Sequence, residues 1–261
     1  MPGEHFYKGM IKTAPLILAI ETATRAGSIS LTHGDRILSK VTGDSESSHS
    51  TDLIENIATV LRDGRANLND IDLFAVASGP GSFTGLRIGL ATAKSLAVNT
   101  GKQCVGVSTL TAIAHATGKA HGSIVSLLPA GRGEVFVQMF SAGGNTIEPQ
   151  DDASHISPAR LVEKYGYLSN LIWAGEGAHA HTDLLRSWAH AHGIEFINGD
   201  VVPNRERMWQ LVPVCGELAV SVALLGLSEY RRSNTVTPDK LRATYVRPSD
   251  AEIPKPWRPQ K

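Results

Sequence analysis

The order of apolar and polar positions predicts alternating strands and helices in the first hundred residues. The continuous apolar run at 16–20 is typical of a buried strand, whereas the strict alternation at 28–32 is typical of a half-buried one. Strand, helix, strand, helix and strand are then predicted in turn, at 36–41, 53–61, 71–77, 84–98 and 105–107. Three strands followed by alternating helices and strands indicate a self-contained α/β unit.

The second half of the chain starts in the same way, with two strands joined by a glycine-containing turn. The predicted strands are 124–128, 134–140 and 171–174, and the predicted helices are 158–165, 182–192 and a long, largely buried one at 214–227. The similar beginnings favour two related lobes, the second of them reduced. We expect a first lobe at 1–107, onto which helix 214–228 packs back, a second lobe at 108–207 and an extended basic C-terminal tail at 229–261.

Composition and charge restrict the class of protein. The 261 residues are 42% hydrophobic and carry 25 basic and 25 acidic side chains, which is typical of a globular chain and argues against a stand-alone nucleic-acid binder. No apolar run approaches the roughly 20 residues that span a bilayer, and residues 1–12 lack the apolar region of a signal peptide. Cys104 and Cys215 lie in apolar stretches and predict buried thiols in a reducing compartment. We therefore expect a cytoplasmic protein without membrane contact.

The neutral total conceals an uneven distribution of charge. From Arg231 to Lys261 there are eight basic and three acidic residues, a net charge of +5, so residues 1–230 carry −5. A solvated flexible tail and a tail that contacts RNA or the acidic face of a partner are both compatible with this excess.

The most distinctive motif is a glycine-rich junction between the predicted strand 71–77 and the helix 84–98. Residues 78–89 read Ser-Gly-Pro-Gly-Ser-Phe-Thr-Gly-Leu-Arg-Ile-Gly, and backbone amides at such a helix start can bind phosphate. The spacing matches neither the dinucleotide fingerprint nor the P-loop, however. Small residues also recur at every fourth position, at Gly85, Gly89, Ala93 and Ala97. This stripe favours close packing against another helix, either within the chain or in a second subunit.

Other candidate ligand residues lie at the ends of strands. Glu21, with Thr22 and Thr24, follows the first strand, where an acid can hold hydrated magnesium below nucleotide phosphates or simply close a turn. Gly175 and Gly177 follow the strand 171–174 and can pass close to an adenine ring or end that strand. Both alternatives stay open at each place.

Local spacing indicates no catalytic or metal-ligating set. None of the ten histidines lies four residues from another, and the pairs His179/His181 and His190/His192 point to different faces of a helix. Ser82 lacks the frame of a hydrolase nucleophile. We therefore assign no catalytic residue and no metal ligand.

These motifs resemble the bacterial TsaB (YeaZ) family, which takes part in the threonylcarbamoyladenosine modification of tRNA. The glycine-rich junction at 79–89 carries most of the resemblance. The other matching segments are 17–24, His49-Ser50, 106–110, 132–136 and 245–252. The resemblance covers nearly the whole chain and is least distinctive between 143 and 204.

The resemblance implies an α/β fold of the actin-like ATPase (ASKHA, RNase H-like) type, with two lobes of mixed sheets flanked by helices, in the glycoprotease M22-like superfamily. It implies a subunit that is not an enzyme by itself and that supports TsaD, the catalytic subunit that modifies adenosine 37 of tRNA. TsaD has a metal-binding HxxxH motif, which this chain lacks after 106–112. The implied partners are TsaD, the ATPase TsaE, a second copy of the chain when TsaD is absent, and tRNA indirectly through the complex.

In this family the first two helices form a bundle with those of the partner. The residues that we expect at this interface are Leu53, Ile54, Ile57, Gly85, Leu86, Gly89 and Ala93. No cofactor is expected in the isolated chain, and ATP or ADP with Mg²⁺ is considered only for the assembled complex. The candidate contacts to a nucleotide or to magnesium are Glu21, Thr22, Thr24, Gly175 and Gly177.

Three departures from the family pattern bear on nucleotide binding. The second lobe is short, so we expect a cleft too open to enclose ATP. Glu21 stands where the family often has Asp, and its longer side chain moves any magnesium contact. The hairpin of the second lobe reads Pro129-Ala130-Gly131 where the family has Asp-Ala-Arg, so one acid and one base are lost. The alternative to a partner subunit is an actin-like ATPase or phosphotransferase that acts on its own through Glu21 and the adjacent hydroxyls.

Overall fold

The computed structural model describes residues 14–43, 49–144, 146–199 and 207–246. The tail from Arg247 onward lies outside the described residues, as do the side chains of His49, Ser50 and Thr51.

Twelve strands are present in the described part of the chain. They are β1 (Leu16–Glu21), β2 (Ser28–His33), β3 (Arg36–Thr42), β4 (Leu73–Gly79), β5 (Gln103–Ser108), β6 (His121–Gly131), β7 (Glu134–Gly143), β8 (Thr146–Pro149), β9 (Ser154–Ile156), β10 (Asn170–Ala174), β11 (Glu195–Asn198) and β12 (Met208–Leu211). The α-helices are α1 (His49–Asp63), α2 (Phe83–Thr100), α3 (Thr109–Ala116), α4 (Pro158–Tyr165), α5 (Glu176–Ala180), α6 (Thr182–Ala191) and α7 (Leu218–Arg231).

The strands form two mixed sheets. The first has the order β3-β2-β1-β4-β5, in which β1 pairs antiparallel with β2 and parallel with β4. The second has the order β11-β12-β10-β6-β7-β8, with β9 paired to β7. In both sheets an antiparallel meander of three strands is followed by parallel strands, which is the arrangement of the actin-like (RNase H-like) fold. The predicted fold class is confirmed.

The two lobes differ in their helices more than in their strands. The first sheet has five described strands and the second has seven, four of which are only three or four residues long. The helices α1 and α2 span 15 and 18 residues, whereas α4, α5 and α6 span 8, 5 and 10. The reduction that we predicted for the second lobe therefore concerns its helices and not its sheet.

The strand β1 lies at the centre of the first lobe. Its residues alternate between the two faces of the sheet, so Ile17 and Ala19 belong to one apolar cluster and Leu18 and Ile20 to another. All four side chains are fully buried. Burial on both faces explains why β1 is a continuous apolar run instead of an alternating one.

The helices on one face of the first sheet connect the two lobes. Both α3 and α7 contribute to the apolar cluster that contains Ile17, and this cluster continues into β6 and β7 through Ile124 and Phe140. The start of α7 is fixed on β2 by two hydrogen bonds, since the Ala219 amide donates to Ser28 Oγ and Ser30 Oγ donates to the Ala219 carbonyl, both at 2.9 Å. The other face of the sheet carries α1 and α2.

Several elements differ from the sequence-based prediction. The helices α3 and α5 and the four short strands β8, β9, β11 and β12 were not predicted. The helix α5 and the strands are too short for a periodic pattern, whereas α3, as long as the predicted α4, has five of its eight residues buried and so lacks a polar face. The helix α7 begins at Leu218, four residues later than expected, and residues 213–217 before it are exposed. The domain boundaries stay a prediction.

The two cysteines differ in environment. Cys104 is buried, and its burial raises the pKa of the thiol to about 11. Cys215 lies in the segment before α7 and is exposed, so the prediction of a buried thiol was wrong there.

None of the helices in the described ranges is both long and apolar enough to cross a bilayer.

We predict that His115 makes the connection between α3 and α7 sensitive to acid. Its Nδ1 lies 3.0 Å from Ser221 Oγ on α7, and burial lowers the pKa of the imidazole. Because the unfolded chain then binds the proton more readily than the folded one, stability is complete above the unfolded pKa of about 6.5 and is lost as the pH falls below it. Between pH 7.5 and 5.5, His115→Gln should lose less of its free energy of unfolding, measured with urea, than the unmodified chain loses. The control is His190→Gln at an exposed position of α6, and an equal effect of both substitutions would contradict the prediction.

Candidate functional site

The glycine-rich junction forms a close contact between α2 and the end of β1. The Ser82 amide donates to the Ala23 carbonyl at 2.8 Å, and the Gly85 amide donates to Ser82 Oγ at 3.2 Å. The Thr22 hydroxyl donates to the Gly85 carbonyl at 2.7 Å. A methyl group at Gly85 would overlap the Thr22 carbonyl oxygen, and one at Gly89 would overlap the Thr22 hydroxyl. The motif therefore serves backbone packing, and the Ser82 and Gly85 amides already donate inside the chain.

The stripe of small residues faces the first sheet. Gly85, Gly89, Ala93 and Ala97 are all buried, and the two alanines have no exposed surface. Both alanines belong to the apolar cluster that includes Ile20. The stripe thus explains how α2 packs on its own sheet, and it is not presented to another chain.

Most of the residues that we predicted at the interface are buried within the chain itself, and the interface stays a prediction. Of those seven residues only Ile54 is exposed, with 63% of its surface accessible. Leu53 and Ile57 are 5% exposed and lie on the buried face of α1, and Leu86 is 1% exposed. The two glycines and Ala93 are buried as described above. These six residues hold α1 and α2 on the sheet.

The exposed face of α2 consists of the positions between the buried ones. It repeats every three or four residues and comprises Thr84, Arg87, Ala91, Ser95 and Val98. Val98 is 70% exposed, and Ile54 is another exposed apolar side chain, on α1, the helix that packs beside α2. We call Ile54, Ala91, Ser95 and Val98 the outer helix surface. The helical spacing could have revealed it, as the complement of the buried stripe.

The Glu21 carboxylate closes the turn after β1. It is 1% exposed, and its Oε1 accepts hydrogen bonds from the amides of Ala23 and Thr24 at 2.6 and 2.8 Å. Its Oε2 accepts one from the Thr24 hydroxyl at 2.7 Å. Since Thr22 is also buried and bonded to α2, this turn does not fit a magnesium site. The turn interpretation of Glu21 is the one that the geometry supports.

A cleft lies between the two lobes, and the room enclosed within it is far smaller than that of a typical small-molecule site. Thr24, Gly175 and Glu176 line it, together with residues of α3 and of the segment 212–218. Gly175 and Gly177 permit close packing on β6, because a methyl group at Gly175 would overlap the Leu127 carbonyl. Of the five candidate nucleotide contacts, Thr24 and Gly175 line the cleft.

Metal ligands are not grouped in the described part of the chain, where no set of three or more His, Cys, Asp or Glu residues is placed to hold an ion.

The segment after α7 packs along the edge of the first sheet. We call residues 233–246 the C-terminal strap. The amides and carbonyls of Cys104 and Val236 exchange two hydrogen bonds of 2.9 Å, and Leu241 is buried in the cluster under α1 and α2. The strap therefore covers an edge strand that would otherwise expose unpaired backbone groups.

The end of the strap reaches the glycine-rich junction. The Thr244 amide donates to the Ser78 carbonyl at 2.7 Å, and a methyl group at Gly79 would overlap the Thr244 carbonyl. The rings of Tyr245 and Phe83 lie 5.5 Å apart. Residues 229–231 of the predicted tail belong to α7, and the strap that follows is packed on the first sheet.

Comparison with known proteins identifies relatives over most of the chain. The family model described as "TsaD: tRNA N6-adenosine threonylcarbamoyltransferase" matches residues 38–191, more than half of the chain. The TsaB protein of Escherichia coli, a tRNA threonylcarbamoyladenosine biosynthesis protein, is 30% identical over 172 residues, which are 64% of this chain and 74% of the relative. TsaB of Bacillus subtilis is 30% identical over 133 residues, 51% of this chain and 58% of the relative.

A solved structure has the same fold. YeaZ from Pseudomonas aeruginosa superposes with a TM-score of 0.70 at 20% identity, over 88% of this chain and 99% of that one. This similarity covers both lobes.

We predict that Gly85→Ala strongly destabilises the protein. Alanine would normally favour a helix by about 1 kcal/mol relative to glycine, but here the methyl group overlaps a backbone carbonyl that cannot rotate away. We expect a net loss of about 2–4 kcal/mol in the free energy of unfolding, measured with urea. Gly143→Ala is the matched control, because the nearest atom to its added methyl group is 3.8 Å away. Equal stability of the two variants would show that α2 can move off β1 at little cost.

Proposed function

Because the chain belongs to the TsaB (YeaZ) family, we propose that it acts in tRNA threonylcarbamoyladenosine biosynthesis as a non-catalytic subunit that binds TsaD through α1 and α2. TsaD and TsaE are its partners in this proposal. A second copy of the chain occupies the same surface when TsaD is absent, and tRNA is reached through the complex.

The observation that carries the proposal is the outer helix surface. It presents two large apolar side chains, Ile54 and Val98, at 63% and 70% exposure. Ala91 and Ser95 lie between Arg87 and Val98 on the same face of α2, and their small side chains permit the close approach of another helix. An exposed apolar helix face with small residues at its middle fits a helical bundle between subunits.

The environment of Glu21 supports a subunit that does not catalyse a reaction by itself. An autonomous ATPase or phosphotransferase needs an acid that is free to hold magnesium or to accept a proton. Both oxygens of Glu21 accept hydrogen bonds within its own turn. We therefore favour the partner subunit over the actin-like ATPase, and we place any ATP or ADP with Mg²⁺ in the assembled complex.

We predict that Ala91→Arg abolishes association. The arginine would place a charged side chain at the middle of the outer helix surface without disturbing the buried face of α2. Affinity for TsaD in a pull-down, and self-association in light scattering, should fall at least 100-fold, equivalent to about 2.7 kcal/mol.

The controls separate the interface from folding. Ala159→Arg introduces the same change at an exposed position of α4 and should leave both associations intact. Ala93→Arg, two residues from the test position but fully buried, should unfold the chain instead. An Ala91→Arg variant that is folded and still binds TsaD would contradict the proposed interface.

The role itself is tested by reconstitution. Modification of tRNA is measured with TsaC, TsaD and TsaE, with and without this chain, and again with Ala91→Arg. We expect product only with the unmodified chain. Unchanged product in its absence would refute the required subunit.

Calorimetry distinguishes the proposed partner subunit from the alternative, an actin-like ATPase. We expect no binding of Mg-ATP tighter than about 1 mM by the isolated chain, because the turn at Glu21 offers no free carboxylate oxygen. The comparison variant is Glu21→Gln. It should give the same calorimetric titration with Mg-ATP as the unmodified chain, although the substitution weakens the hydrogen bonds of the turn. Micromolar binding that Glu21→Gln removes would favour the ATPase instead.

A further inference from the structure

The end of the C-terminal strap forms an aromatic and cationic cluster on the surface. The guanidinium carbon of Arg87 lies 3.8 Å from the centre of the Phe83 ring, and the Tyr245 ring packs against the same Phe83 at 5.5 Å. Arg87 is exposed, and Tyr245 retains 49% of its surface. Two planar groups are therefore held in place by Phe83 and are open to solvent.

The charge around this cluster is positive. Lys240 and Arg242 are exposed on the strap within five residues of Tyr245, and Asp239 is the acid beside them. Arg242 donates to the backbone carbonyls of Asp239 and Leu241. A hydrogen bond from Thr237 and the charges of Lys240 and Arg242 lower the pKa of the Asp239 carboxyl, so both cations lie near this acid. Arg87 forms no ion pair within the described part of the chain. Within residues 233–246 the charged side chains are Lys240, Arg242 and Asp239, a net charge of +1, to which the exposed Arg87 adds another positive charge.

This combination has a specific chemistry. Unpaired bases stack on tyrosine rings and on arginine planes, and lysine and arginine side chains neutralise the phosphates beside them. An acidic protein surface would use the cations but would leave the exposed Tyr245 ring without a stacking partner. An exposed segment that carries two cations and an open aromatic ring fits a single-stranded or looped polynucleotide better.

We propose that Phe83, Arg87, Lys240, Arg242 and Tyr245 form a surface that contacts RNA directly. We call it the strap face. That the bound RNA is tRNA rests on the proposed function. The strap face would then give the chain a direct contact with tRNA, in addition to the indirect one through TsaD. Phe83 positions the cluster, Arg87 and Tyr245 stack on bases, and Lys240 and Arg242 bind phosphates.

The test is fluorescence anisotropy of the full chain with a labelled tRNA at several salt concentrations. Lys240→Gln with Arg242→Gln should weaken binding about tenfold or more at low salt. The slope of log K against log salt should become shallower by about 1.4, as expected when two phosphate contacts to a single strand are lost. Tyr245→Ala should weaken binding at least fivefold at all salt concentrations, because stacking is not a charge effect.

The matched control is Arg36→Gln with Arg160→Gln, which removes two exposed charges from β3 and α4, away from the strap. It should bind tRNA like the unmodified chain. An equal loss in the control would show that only the total charge matters and would overturn the proposal. Absence of tRNA binding by the folded, unmodified chain at 50 mM salt would overturn it as well.

Two further results separate this proposal from the proposed function. Strap-face variants should still bind TsaD in the pull-down, and loss of TsaD binding with unchanged tRNA binding would make the strap face a protein surface instead. Conversely, tRNA binding that survives Ala91→Arg supports the strap face even if the subunit role fails.

Discussion

The contact between the end of β1 and the start of α2 is the constraint on which the first lobe depends. Thr22 touches α2 at Gly85 and Gly89 with no room for a side chain, and its hydroxyl bonds the Gly85 carbonyl. This contact fixes the depth at which α2 lies on the sheet. It also determines which face of α2 is buried, and hence which face remains for another molecule.

The same contact gives the glycine-rich junction a structural explanation. Glycines at a helix start suggest an anion site, but here the close backbone approaches involve Thr22 and the strap residue Thr244. The strap then holds the edge of β5 and ends against Phe83. Sheet edge, helix start and C-terminal segment are thus packed as one unit, with the outer helix surface and the strap face adjoining it.

The two lobes have unequal roles in this arrangement. The first provides the long helices and both proposed surfaces. The second contributes one wall of the cleft through Gly175 and Glu176, and it is joined to the first through the apolar cluster of α3 and α7. The turn at Glu21, next to the cleft residue Thr24, is closed by its own hydrogen bonds.

The sequence by itself determined the long periodic elements, the two-lobe fold class and the family, because patterns such as the apolar run of β1 and the spacing of α2 record burial directly. The short elements α3 and α5 escaped it, since they are held by tertiary contacts and not by propensity. Only the tertiary structure decided which way the stripe of Gly85 and Ala93 faces. A small residue permits close approach without specifying the neighbour, and here the neighbour is β1 of the same chain.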